Sequence, residues 1–258
     1  MNRPSGERLF PPKALVFVPG VFVLFCLASL RETVPRFWSA DNGIKWWQAQ
    51  TISEKGPRGA ELDYEESDID PEGRYEPLRW KYGRYQDGKI RFSYPPFYAM
   101  LLSPLAAGDR FRNALWLSAL FAAVLFLLIE TLGRTIGVCY SRLSAGMAVC
   151  LTPIAVYALE LNEHLLTLAL GLGAWILVLR AGESSRWSFL AAGFLCGLAG
   201  WFRNEYLVFG ASIAIALGFF KRRWNSLLVL VALVVTLAVG IGLEKVWTPP
   251  SSPPLRVI

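Results

Sequence analysis

Long apolar runs alternate along the chain with stretches that hold most of its charge. A helix needs about 20 mostly apolar residues, and roughly 17 at the least, to cross a bilayer core. Seven segments reach or approach that length: Ala14–Leu30, Ala114–Leu132, Leu143–Leu159, Leu165–Leu179, Phe189–Gly200, Tyr206–Phe220 and Leu227–Leu243. The pattern predicts an all-α polytopic membrane protein with about seven transmembrane helices. The third to sixth segments are short, which suits helices that end in a protein cavity where side chains and water meet the freed backbone groups.

One long polar stretch, Arg31–Arg112, separates the first two segments and is expected to form a large first extracytoplasmic loop. Its Pro, Gly, Tyr and Trp content predicts a partly folded cap. Ile44–Lys55, with Ile44, Trp46, Trp47 and Ile52, reads as a juxtamembrane helix at the depth tryptophan favours. The apolar piece from Tyr94 to Ala107 is interrupted by proline and reads as a second, membrane-parallel or re-entrant helix. Between them the acidic run Glu61–Glu72 reads as a solvated turn, since it lacks the twelve-residue ligand spacing of an EF-hand calcium loop. Residues 1–247 are expected as a single module, and 248–258 as a Pro-rich tail.

Charge gives this topology a direction, because cytoplasmic loops retain Lys and Arg. Arg3, Arg8 and Lys13 precede the first segment, Arg134 and Arg142 follow the second, Arg180 and Arg186 flank the next basic connection, and Lys221, Arg222 and Arg223 follow the sixth. Every second connection is basic, so the N-terminus is expected in the cytoplasm. The first segment could also serve as a secretory signal, but no small-x-small cleavage site stands near Ala28.

Composition agrees: of 258 residues 54% are hydrophobic and 18% charged, and the mean hydropathy is +0.38. The net charge of +6 has no basic stripe interleaved with exposed aromatics, so nucleic acid is not an expected partner. Cys26, Cys139, Cys150 and Cys196 lie in or beside apolar runs without paired or CxxC spacing, and read as packing residues.

Polar side chains outside the basic loops fall into four clusters, and ionisable groups at the ends of spans are costly and therefore functional candidates. Asp41 is either a general base or the N-cap of a helix starting near Gly43. Glu160, Glu163 and His164 share one face if the helix continues, able to hold a divalent metal or a sugar hydroxyl; the plainer reading is two spans ending in water. Arg203 and Glu205 form either an exposed turn pair or a phosphate or sugar site, since arginine grips phosphate with two parallel hydrogen bonds. Arg91 and Tyr94 stand just before the second loop helix.

Four stretches, in their order and on their expected side of the membrane, resemble the C-type, polyprenol-dependent membrane glycosyltransferase superfamily, in particular its branch of protein O-mannosyltransferases and aminoarabinose transferases. They are Ser39-Ala40-Asp41-Asn42-Gly43-Ile44-Lys45, Tyr94-Pro95-Pro96-Phe97-Tyr98 with Leu101-Leu102-Ser103-Pro104, the run from Leu159 to Leu170, and Gly197-Leu198-Ala199-Gly200-Trp201-Phe202-Arg203-Asn204-Glu205. The resemblance implies an inverting transferase in the cytoplasmic (inner) membrane of a bacterium. It would move a sugar from a polyprenyl-phosphate donor to a lipid, glycan or protein hydroxyl. Asp41 would be the catalytic base, Arg203 and Arg91 would offset charge on the leaving phosphate, and Tyr94, Glu160, Glu163, His164 and Glu205 would line the substrate pocket. It implies no certain cofactor and leaves a divalent metal open. Relatives often pair the loop aspartate with a glutamate where Asn42 stands, and continue into further spans and an outer domain. A minimal enzyme, a truncated enzyme and a noncatalytic subunit or scaffold completed by another protein are therefore all expected readings, with a transporter behind them.

Overall fold

Apolar runs satisfy their own backbone hydrogen bonds by coiling, and the chain does so over most of its described length. The computed structural model describes residues 16–30, 40–57, 61–72, 74, 83–86, 88–92, 94–107, 111–181, 185–220 and 222–247. In chain order these hold α1 (Phe17–Ser29), α2 (Ala40–Lys55), β1 (Glu61–Asp63), a 3-10 turn (Glu65–Asp68), β2 (Gly83–Gln86), β3 (Lys89–Phe92), α3 (Phe97–Ala106), α4 (Phe111–Thr135), α5 (Ser141–Cys150), α6 (Pro153–Tyr157), α7 (His164–Arg180), α8 (Arg186–Phe202), α9 (Glu205–Phe219) and α10 (Arg223–Trp247). The chain divides into a helical unit, Met1–Arg31 with Leu115–Thr236, and a loop unit, Glu32–Ala114 with Leu237–Ile258.

The described parts of the seven apolar segments are mainly helical, but among the described helices only α4 and α10, at 25 residues each, are long and apolar enough to cross a membrane. This corrects the expected count of about seven and points to membrane association at the coarser level. The shortfall is one of length: α1, α7 and α9 have 13, 17 and 15 residues, or about 20, 25 and 23 Å at 1.5 Å per residue. The third segment is not one helix. Thr152 is extended, as the residue before a proline tends to be, and its hydroxyl accepts the Ile154 N–H at 3.3 Å, so Pro153 opens α6 and the run splits into helices of 10 and 5 residues.

In the helical unit the core gathers Phe25, Leu125, Phe126, Leu165 and Ile176. Small residues set how closely α8 approaches α10: a Cβ on Gly193 would lie 2.3 Å from the Val229 carbonyl oxygen, and one on Gly197 would lie 2.6 Å from Thr236 Cβ. The G-x-x-x-G spacing thus brings two backbones together, as in packed membrane helices. Trp201 Nε1 donates to the Thr236 carbonyl at 2.8 Å across the same contact. At the end of α4, Gly137 adopts φ +87° and the turn closes with Gly137 N–H to Arg134 O at 3.2 Å and Val138 N–H to Gly133 O at 2.8 Å. This Schellman ending folds Arg142 back to Glu130 of α4.

Two polar layers bound this core. In one, Ser118 of α4 donates to the Glu160 carbonyl at 2.7 Å, and His164, the first residue of α7, meets Arg203. In the other, Glu130 holds Arg134 and Arg142, and Arg180, the last residue of α7, donates to Thr135 Oγ1 at 3.1 Å. The 17 residues of α7 join them, a separation of about 25 Å.

The loop unit carries a feature the hydropathy pattern misses, a three-stranded antiparallel sheet in the order β1-β3-β2. Gln86 pairs with Lys89 across a two-residue hairpin whose Gly88 has φ +75°. Ile44, Tyr64 and Ile90 form its core, and α2 packs on α3. The acidic run is folded rather than a solvated turn. It supplies β1 and the 3-10 turn, and Asp70 is buried, accepting Tyr64 Oη–H at 3.2 Å and Arg74 N–H at 2.8 Å. Exposed Asp63 accepts Lys55 Nζ–H at 2.6 Å, and that hydrogen bond holds its carboxyl below the usual range.

Candidate functional site

Arg203 sits in the break between α8 and α9, with extended backbone at φ −149° and ψ 119°. That break aims the guanidinium at the start of α7. Its Nη1 lies 2.5 Å from His164 Nδ1 and 3.0 Å from Nε2, and 3.6 Å from Glu163 Oε1; its Nη2 donates to Glu205 Oε1 at 2.9 Å. A guanidinium can only donate, so the imidazole nitrogen that pairs with it is an acceptor. Tyr157 from α6 holds the imidazole edge-on, ring centres 4.6 Å apart.

Glu160, Glu163 and His164 do not share a helical face as expected. The helix begins at His164, with Glu163 at the N-cap position and Glu160 in the preceding turn. Asn162 stitches the turn together: its Nδ2 donates to Glu160 Oε2 at 3.3 Å while its Oδ1 accepts the His164 N–H at 3.0 Å. Glu163 is buried, whereas the Glu205 side chain is 68% exposed. The Arg203 hydrogen bond, ahead of a backbone one, holds the Glu205 carboxyl below its usual range.

Glu160, Glu163 and Glu205 against the one guanidinium leave this site two formal negative charges. The N-termini of α7 and α9 both open here, and each contributes about half a positive charge in its first turn, which offsets about half of that. A cleft of about 350 Å³ is lined by Tyr157, His164, Thr167, Arg203 and Glu205. A second, of about 640 Å³, is walled by apolar groups of α7 and α9, among them Leu172, Trp175 and Phe209. Leu168, Glu205 and Tyr206 line both. Gly171 makes room for this wall, since a Cβ there would lie 2.7 Å from Tyr206 Cε1.

In the loop unit Asp41 lies within the first turn of α2, which begins at Ala40, rather than capping a helix that starts near Gly43. Its Oδ2 accepts Lys45 Nζ–H at 2.7 Å, and the Lys45 side chain is only 5% exposed. The ammonium also stands 5.0 Å from the centre of the Tyr94 ring. Gln48 Nε2 donates to the Tyr94 carbonyl at 3.2 Å, and its buried Oε1 has no hydrogen-bond partner among the described residues. Arg91 is in β3, between Glu61 and Arg84; its side chain lies outside the described residues.

Sequence reasoning thus located the Arg203 and Asp41 neighbourhoods but missed Lys45, whose i,i+4 spacing from Asp41 was readable. It also missed Tyr157 and Asn162, which only the broken turn brings to His164. Among the described residues no three His, Cys, Asp or Glu side chains gather as a metal site would require. No protein-family model, no curated protein and no solved structure matches the chain.

Proposed function

We propose that this chain is a polytopic membrane glycosyltransferase of the C type, moving a sugar with inversion from a polyprenyl-phosphate donor to a hydroxyl acceptor at the extracytoplasmic face. The observation that carries this reading is the pair of adjoining clefts. A charged cleft at Arg203 and an apolar one along α7 and α9 share three lining residues, and so offer matched compartments to a lipid that has a phosphate head and a hydrocarbon tail. The polar layers about 25 Å apart support the membrane part, because that separation approaches the ~30 Å of a hydrocarbon core.

Arg203 would take the donor phosphate by two parallel hydrogen bonds, displacing exposed Glu205, while buried Glu163 holds the guanidinium in place. His164 and Glu160 would face the sugar. The acceptor hydroxyl oxygen would attack the anomeric carbon, the carbon–oxygen bond to phosphate breaking with its electron pair leaving on the phosphate; Asp41, in the loop unit, is the base that the resemblance names for the hydroxyl proton. In proteoliposomes supplied with polyprenyl-phosphate sugars, wild type should transfer label and Asp41→Asn should not. Absence of transfer by wild type, with an intact cellular phenotype for Asp41→Asn, sinks the enzyme reading.

A noncatalytic subunit is the second reading, favoured by Lys45. The Lys45 ammonium, on a side chain only 5% exposed and 2.7 Å from Asp41 Oδ2, commits that oxygen to an ion pair within α2, as a packing role would. On this reading Asp41→Asn and Lys45→Met disturb folding to similar degrees and leave donor-lipid binding intact.

A further inference from the structure

Opposite the Arg203 end, the helical unit carries a second charged groove that the transfer reading does not use. Glu130 has no exposed surface. Arg134 donates to its Oε1 through Nε at 3.1 Å and Nη2 at 2.7 Å, and Arg142 reaches it through Nε at 3.4 Å and Nη2 at 3.3 Å. Neither Nη1 is committed to the carboxylate. Two guanidiniums on one carboxylate leave a fixed positive charge, and Arg142 is further steadied by the Phe17 ring, 4.7 Å away.

Both arginines line a groove of about 940 Å³, at the upper end for small-molecule sites. Its floor is apolar. Leu143 and Met147 of α5, with Leu151 just beyond, recur at i, i+4 and i+8 and are well exposed. A positive head held by a buried acid, leading into an exposed apolar floor, is complementary to an amphiphile with an anionic head. This is also the end whose basic loops mark the leaflet rich in anionic lipid, where each Lys or Arg near the surface adds about 1 kcal/mol of attraction.

We propose that this groove binds one anionic phospholipid, its phosphate on Arg134 and Arg142 and an acyl chain along Leu143, Met147 and Leu151. The proposal rests on the membrane reading and not on the transfer chemistry, so failure of one leaves the other standing. Cys139 and Cys150 are exposed and line the groove, which makes them reporters. The test follows site-resolved maleimide alkylation of both thiols in the full chain, held in neutral detergent with phosphatidylglycerol, phosphatidylcholine or inorganic phosphate.

Phosphatidylglycerol should slow both thiols at least about fivefold, with phosphatidylcholine and phosphate each below about twofold. Arg142→Gln should raise the half-protecting concentration of phosphatidylglycerol about fivefold. Met147→Trp fills the floor without touching the ions and should lose protection while melting like wild type. Equal protection by phosphatidylcholine, full protection by phosphate alone, or undiminished protection in both variants overturns the proposal.

Discussion

The two charged layers of the helical unit use the same side chains in opposite proportion. At one, a carboxylate with no exposed surface is the hub for two partly exposed arginines. At the other, a partly exposed arginine is the hub for a buried glutamate, an imidazole and a glutamate 68% exposed. A buried charge stripped of its partners is costly, by several kcal/mol, so the Glu130 cluster ties α4 to the first turn of α5. An exposed pair contributes at most about 1 kcal/mol, so Glu205 leaves Arg203 easily. A layer that fastens buries its hub, whereas the Arg203 layer, on the proposed reading, keeps one partner replaceable by a ligand.

Four measurements test that contrast, the largest effect first. Arg203→Ala should reduce sugar transfer in proteoliposomes about 10²–10³-fold, as loss of a donor to developing phosphate charge does, with Arg142→Gln changing it less than about threefold. Equal losses would erase the distinction between the layers. Glu130→Ala should lower unfolding stability by about 2–3 kcal/mol, less than for a wholly buried pair because both arginines reach solvent, against under about 1 kcal/mol for Glu205→Ala. Thermal or denaturant melts of the detergent-solubilised chain read this directly.

Gly193→Ala places a methyl 2.3 Å from the Val229 carbonyl oxygen, so α8 and α10 must part, at a cost of about 1–3 kcal/mol. An unchanged melt would mean that this close approach does not hold the layers in place. The smallest effect is at Glu205. Its folded carboxyl titrates below the ordinary range, so its bond to Arg203 is fully present above the unfolded carboxylate's pKa and is lost as pH falls through the folded one. Glu205→Gln should remove that acid-side dependence and tighten polyprenyl-phosphate binding at neutral pH about two- to fivefold, because a competing anion is gone. Weaker binding would show that Glu205 holds the ligand instead of yielding to it.

Much of this was legible in the sequence. The apolar runs gave α4 and α10 to within three or four residues at each end, and the motif Trp201 to Glu205 marked the Arg203 turn. The sheet was not read because its strands hold three or four residues, too few for alternation to show. Asp87-Gly88, a two-residue hairpin signal, was its one local sign. The broken third segment was signalled by Pro153, outweighed by the apolar residues around it. In the loop unit, Asp41 and Lys45 lie one turn apart, so their pairing is a local property of α2. The Tyr94 ring that meets Lys45 comes from beyond the sheet and has no such signal.

By itself the sequence determined which segments coil and which connections are basic, because backbone hydrogen bonding, hydrophobicity and charge act locally and add along the chain. Only the tertiary structure decided which polar groups meet. Arg203 and His164 are 39 residues apart and Ser118 and Glu160 are 42 apart. Whether such pairs touch depends on helix phase, on the break at Pro153 and on how closely Gly193 and Gly197 let helices approach. A shift of one residue in phase turns a helical side chain by about 100° around its axis, enough to carry Ser118 or His164 away from its partner.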